Sequence, residues 1–194
     1  MSANEAPDAQ MFLSRLRDHY VDQFLLFVAE RRRASAAGGP EVKIEVKAAN
    51  NLFRGLYCAD FVQNDGEPQI VEFEPERILS FNPITASLGN AEIRFEQLRW
   101  DDVLIDHDAP ADMRQALASW FEKWFDPDDR RYLAGADLGN IIHSLSIEPR
   151  QLGIDFGSAA PEAMWELLNL VERAGATELR VTTSRVEADA PKPA

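Results

Sequence analysis

Basic residues are scarce in this chain: 20 Lys and Arg face 33 Asp and Glu across 194 residues, a formal net charge of −13 at neutral pH. A field of that sign repels phosphate backbones and anionic lipid surfaces, so neither nucleic acid nor a membrane is an expected partner. The one local run of positive charge, Arg31, Arg32 and Arg33, falls where the first long helix is predicted to end, and cations there complement the helix dipole. Cysteine is nearly absent. The single Cys58 excludes an intramolecular disulfide and a cysteine-built zinc site, and points to a reducing, cytoplasmic location. The N-terminus, MSANEAPDAQ, lacks the basic and apolar regions of a secretion signal. The longest apolar run, residues 24–29, is far too short to cross a bilayer.

Motifs are also missing. Neither GxGxxG nor a P-loop occurs, GxSxG is absent, and His19, His107 and His143 show no local metal-ligand spacing. No cofactor is expected, and no internal repeat is evident. What remains is an ordinary globular composition, 45% hydrophobic and 27% charged, long enough to bury a core. The expected organisation is a disordered N-terminus at 1–9, one α+β domain over 10–185 with a possible subdivision near 126–137, and a disordered tail at 186–194.

Periodicity supplies the elements. Leu13, Leu16, Tyr20, Phe24 and Phe27 recur at spacings of three and four, which predicts a helix over about 10–33, broadened by Leu25, Leu26 and Val28 into a well-covered face. ASAAGGP, residues 34–40, stops it. EVKIEVKA alternates as a half-buried strand, LFRGLYCADFV follows with Gly55 marking a bulge, and QIVEFE, RILSF, ITASL and AEIRFEQLRW continue as short strands. A change of inward parity between Ile93/Phe95 and Leu98/Trp100 predicts a second bulge at Glu96 and Gln97. Residues 110–125 form a second helix, capped by Asp108, with Asp112 in its first turn. Two strands then meet at Pro149 and Arg150. A third helix, capped by Ser158, has Pro161 in its first turn and Gly175 just past its end, and a closing strand completes the chain. The fold class is α+β: a mostly antiparallel sheet meander with three main helices packed on it, ending in a β-hairpin and a strand-helix-strand unit.

Candidate sites are few. DDVLIDHD, residues 101–108, places four carboxylates beside His107. Asp108 is needed as a cap, but Asp102, Asp106 and Asp108 share one strand face and form a candidate oxygen site for a hard divalent cation, with Asp101 or His107 as an acid/base group. His143 shares a face with Ile141, Leu145 and Ile147 and reads as a core histidine, and Cys58 as a small buried residue. The strand-glycine-helix passage IDFGSAAPEAM is a weak phosphate site, because Asp155 and Glu162 flank it. In WFEKWF, the aromatics Trp120, Phe121, Trp124 and Phe125 either pack on the sheet or offer a contact for a partner or a second copy of the chain. Two functions follow. The favoured one is a non-enzymatic protein-interaction or structural module that meets a protein partner or self-associates as a homodimer, and the alternative is a hydrolase-like enzyme using a cation at Asp102, Asp106 and Asp108.

Overall fold

The computed structural model describes residues 5–35, 37–48, 50–110, 112–133 and 136–185. Along the chain run α1 (Glu5–Ala34), β1 (Gly39–Glu45), β2 (Leu52–Gln63), β3 (Gln69–Val71), β4 (Ile84–Leu88), β5 (Ala91–Phe95) and β6 (Val103–His107). Then come α2 (Met113–Phe125), β7 (Ser144–Glu148), β8 (Gln151–Asp155), α3 (Pro161–Arg173) and β9 (Glu178–Thr182). The strands form one mostly antiparallel sheet in the order β1-β2-β7-β8-β6-β9-β5-β4, with β3 also pairing β2. The fold is therefore α+β. β7 and β8 form the expected hairpin, while β6 lies between β8 and β9 and is antiparallel to both, so β8 and β9 run parallel without touching.

The sheet is dry on one side. In β5, Ile93 and Phe95 are sealed while Glu92 and Arg94 face water, and β9 repeats the pattern with Leu179 and Val181 against Glu178 and Arg180. Period-two alternation of this kind marks a sheet covered on one face. α1 and α3 meet over Phe95, whose ring is 6.4 Å from Phe12 and 6.2 Å from Trp165. Among the described residues, no helix is long and apolar enough to cross a membrane.

Several boundaries differ from expectation. α1 begins at Glu5, so only residues 1–4 of the predicted disordered N-terminus, together with the tail at 186–194, lie outside the described residues. Leu13, Leu16, Tyr20, Phe24 and Val28 are buried, but Leu26 is 63% exposed. It lies about 200° round the helix from Phe24, outside the covered stripe. Gly39 and Pro40 belong to β1, an edge strand where a proline is tolerated. RILSF forms no strand, and QIVEFE contributes only Gln69–Val71. The bulge at Gly55 is present: Arg54 and Gly55 take φ of 57° and 66°, and the β2–β7 register shifts there. No bulge occurs at Glu96 and Gln97. β5 ends at Phe95, and Leu98 and Trp100 are buried because the chain leaves the sheet.

Two predicted caps have other tasks. Asp112 caps α2, accepting from the Arg114 N–H at 3.0 Å. Asp108 instead accepts from Thr177 N–H at 2.8 Å, Thr177 hydroxyl at 2.6 Å and Glu178 N–H at 3.1 Å, tying β6 to the start of β9. Those donors push its pKa down to about 2. α3 starts after Ala160 with no side-chain cap, because the Ser158 hydroxyl is turned away. Pro161 and Gly175 sit as expected, Gly175 with φ of 99°.

The aromatic stripe of α2 lies inside. Trp120, Phe121, Trp124 and Phe125 are each 4% exposed or less. The indole N–H of Trp120 donates to Ala163 O at 2.9 Å and that of Trp124 to Glu166 Oε2 at 2.8 Å, so α3 satisfies both. As a contact for another molecule, the stripe has no open surface to give. Phe121 stacks on Phe125 at 4.7 Å and meets the Phe53 edge at 5.0 Å. Phe121→Ala is expected to cost about 3–5 kcal/mol, read as a lowered urea midpoint at unchanged m.

Candidate functional site: a buried histidine among carboxylates

His143 is positioned by its own backbone. Its N–H donates to Asp155 O at 2.8 Å and its carbonyl accepts from Cys58 N–H at 2.7 Å, so the residue just ahead of β7 is held between β2 and β8. The β1–β2 register, running Pro40↔Phe61 and Val42↔Ala59, sets Glu41 opposite Asp60. These two carboxylates take the two sides of the imidazole: Nε2 lies 3.0 Å from Glu41 Oε1, and Nδ1 lies 2.9 Å from Asp60 Oδ1. The Asp60 contact is close enough for an ion pair but off the direction of an N–H bond, which leaves Nδ1 without a hydrogen-bond partner. Asp155 Oδ2 stands 3.9 Å from the same nitrogen.

A tight frame holds these groups. Glu41 also accepts from the Gly139 N–H and the Ser158 hydroxyl, and its backbone takes φ of 52°, a strained conformation for a residue with a side chain. Asp60 Oδ2 accepts from Phe73 N–H at 2.7 Å, and Asp155 Oδ1 from Gly157 N–H at 2.8 Å. Gly157, with φ of 47°, passes directly over the imidazole, where any Cβ would overlap the ring. Phe24 closes the remaining side edge-on at 5.7 Å. The His143 side chain is 1% exposed, Glu41 4% and Asp60 7%, whereas Asp155 keeps 28%.

Burial and charge compete at each group. Desolvation by itself would lower the His143 pKa, but the facing anions Asp155, Asp60 and Glu41 raise it well above the ordinary imidazole value. Cys58 would add to this only if ionised, and burial pushes its thiol up to about 12. Desolvation would raise Glu41 and Asp60, yet the His143 charge holds both below the usual range, helped at Glu41 by the Nε2 hydrogen bond and at Asp60 by the Phe73 N–H. Asp155 is pushed up to about 8 by desolvation, with Asp60 and Asp101 adding to it against the lowering by the His143 charge and the Gly157 N–H. Glu72, desolvated and beside Asp60, is raised to about 7. Tyr20 is raised well above its ordinary value, first by burial. A nucleophile reading of Cys58 therefore fails, since its thiol is sealed, protonated and turned to Ala59 O.

The cluster borders two openings but lines neither with its central groups. A cleft of about 140 Å³ reaches Glu41 from beside Lys43, Asp126 and Gly139. A groove of about 410 Å³ runs between one face of α1 (Gln23, Leu26, Phe27, Glu30, Arg31) and residues 72–77. Its far wall is fixed by Asp60 through Phe73 and by Gln23, which accepts from Arg77 N–H at 3.0 Å.

The acidic strand at 101–108 is dispersed. Asp101 binds Arg99 at 2.7 Å, Asp102 accepts from Thr183 hydroxyl at 2.6 Å and Ser184 N–H at 3.0 Å, and Asp106 accepts from Gln151 at 2.8 Å. With Asp108 on β9, the proposed ligands Asp102, Asp106 and Asp108 each serve a separate tether. His107 is buried, with its pKa lowered by desolvation. Among the described residues, the group with ligand atoms all within 4.8 Å of one another is Asp60, His143 and Asp155. The sequence did place His143 in the core, but it gave no sign that Glu41, Asp60 and Asp155 gather there. The available signal was a charged residue inside an apolar strand, as in CADFV and GIDFG. No protein-family model, curated protein or solved structure matches the chain.

Proton linkage gives the cluster a pH signature. Asp155 and His143 keep their protons in the folded chain at pH values where the unfolded chain has released them, so they favour folding at lower pH and that favour fades as pH rises. Glu41 and Asp60, depressed in the fold, lose their contribution below about pH 4. The urea midpoint is expected to peak near about pH 5–6 and to fall toward about pH 9 as well as below about pH 4. A midpoint that rises steadily to about pH 9 would show that His143 is not held as an imidazolium.

Proposed function

We propose that this chain is a non-enzymatic interaction module that captures a basic, apolar-anchored segment of a partner protein in the groove between α1 and residues 72–77. One observation carries the reading: a 63% exposed Leu26 stands at an aromatic floor framed by acids. Phe27 and Phe73 face each other at 5.2 Å, and Glu30, Glu72 and Glu76 stand around them with Arg31 and Arg77, while Glu74 is paired with Arg99 and Arg185. Ile70, two residues ahead of Glu72, is 48% exposed and extends the apolar surface. Arg31 already lies 5.3 Å over the Phe27 ring, which illustrates that this wall accepts a guanidinium. The net charge of −13 steers a cationic partner toward it.

The non-enzymatic part is supported by access. Neither the cleft at Glu41 nor the groove beside α1 is lined by Asp60, His143 or Asp155, which favours binding over catalysis at those two openings. The hydrolase reading at Asp102, Asp106 and Asp108 loses support because each carboxylate already accepts protein donors.

A fluorescein-labelled amphipathic helix of leucine and lysine serves as the probe, with its leucine–glutamate counterpart as control. Fluorescence anisotropy is expected to show binding of the cationic peptide alone. Leu26→Asp should weaken it at least tenfold, about 1.4 kcal/mol. Glu148→Lys, exposed on the β7–β8 turn, should change it less than twofold. Equal losses from both variants would reduce the effect to a general acidic field and overturn the groove.

A further inference from the structure

We propose that Asp60, His143 and Asp155 form a binding site for one borderline divalent cation of the Zn2+ class, taken by Asp60 Oδ1, His143 Nδ1 and Asp155 Oδ2. Glu41 positions the imidazole. The inference goes beyond the groove and does not depend on it.

The starting point is a polar atom without a partner. His143 Nδ1 is buried in a side chain 1% exposed, makes no hydrogen bond, and lies within 4.8 Å of two carboxylate oxygens. Buried nitrogens are almost always satisfied, so an orphan among anions is the geometry of a ligand. The other ring nitrogen is already committed, since Nε2 at 3.0 Å from Glu41 keeps its proton there, so that a metal displacing the Nδ1 proton meets the Nδ1 lone pair. A carboxylate holding the distal N–H of a metal-ligating histidine is the recurrent outer arrangement of such sites. Here that carboxylate is itself held by Gly139 and Ser158.

Distances and charge agree with this. Tetrahedral ligands at about 2.1 Å from zinc are about 3.4 Å apart. Nδ1 lies 2.9 Å from Asp60 Oδ1 and 3.9 Å from Asp155 Oδ2, so small movements close the set. Asp155, at 28% exposed, is the most open of the three, and its open side admits water to a fourth position. Without a metal, the His143 imidazolium and a protonated Asp155 stand beside the Glu41 and Asp60 carboxylates, and the cluster is singly negative. A dication that displaces the Nδ1 proton and the Asp155 proton leaves that net charge unchanged, so binding adds no buried charge. One imidazole with two carboxylates suits Zn2+, Mn2+ or Co2+ better than Ca2+ or Mg2+, which prefer all-oxygen sets.

Calorimetric titration of the chelator-stripped full chain with Zn2+, in the absence of any peptide, tests this separately from the groove. One saturable site of micromolar affinity or tighter is expected, with Mg2+ and Ca2+ at least a hundredfold weaker. Asp155→Asn keeps an acceptor for Gly157 N–H and should weaken Zn2+ at least tenfold, while Asp106→Asn should leave it unchanged. On the wild-type chain, Zn2+ should shift the imidazole 15N signals of His143 and spare those of His19 and His107, a readout that does not depend on a variant folding. No saturable binding at millimolar Zn2+, or binding that moves His19 or His107 while His143 stays still, would overturn the site.

Discussion

An imidazole enclosed by carboxylates sets the terms for the β1-β2-β7-β8 half of this sheet. A charged His143 cannot be buried without anions, and buried carboxylates cannot remain ionised without a cation, so Glu41, Asp60 and His143 must be placed together or not at all. Meeting that requirement takes β1 and β2 in one register, β7 and β8 pinned to the His143 backbone, and the 72–77 segment tied to Asp60. α1 then covers the ring with Phe24. Four strands, one helix and one loop therefore share a single electrostatic constraint.

Stability alone is a weak reason for such an arrangement. Buried ion pairs recover their desolvation cost only with good geometry, and apolar packing of the same volume often does as well. Local strain adds to the cost. Glu41 adopts φ of 52°, and Gly157 leaves no room for a side chain over the imidazole. Strained backbone concentrates where a fold serves something besides its own stability. Glu41 and Gly157 both touch His143, and the acid-rimmed groove adjoins the cluster through Phe73 and Glu72.

The acidic composition also has a structural use. Asp102 gathers Thr183, Ser184 and Arg185, Asp108 gathers Thr177 and Glu178, Asp112 starts α2, and Asp126 closes the turn at Arg130 and Arg131. Each carboxylate accepts backbone N–H groups that strand and helix ends would leave unpaired. Density of charge in DDVLIDHD thus reflects where elements end rather than where ligands meet. Only partners distant in sequence reveal this, as with Asp108 and Thr177.

Local patterning determined the fold class. Spacings of three and four in α1, α2 and α3, alternation in β5 and β9, and the glycine at position 55 depend on near neighbours and were legible directly. Patterning also showed His143 and Cys58 to be inside. It did not decide which acids would meet that histidine, because Glu41, Asp60 and Asp155 come from three strands and join through a sheet order that local signals do not encode. The same limit applied to WFEKWF. Helical spacing put four aromatics on one face, but only the packing of α3 across it, with Ala163 and Glu166 accepting the two indole N–H groups, made that face core. Hydrophobic period is a property of one segment, whereas burial of a charge or an aromatic face depends on what a second segment brings to it.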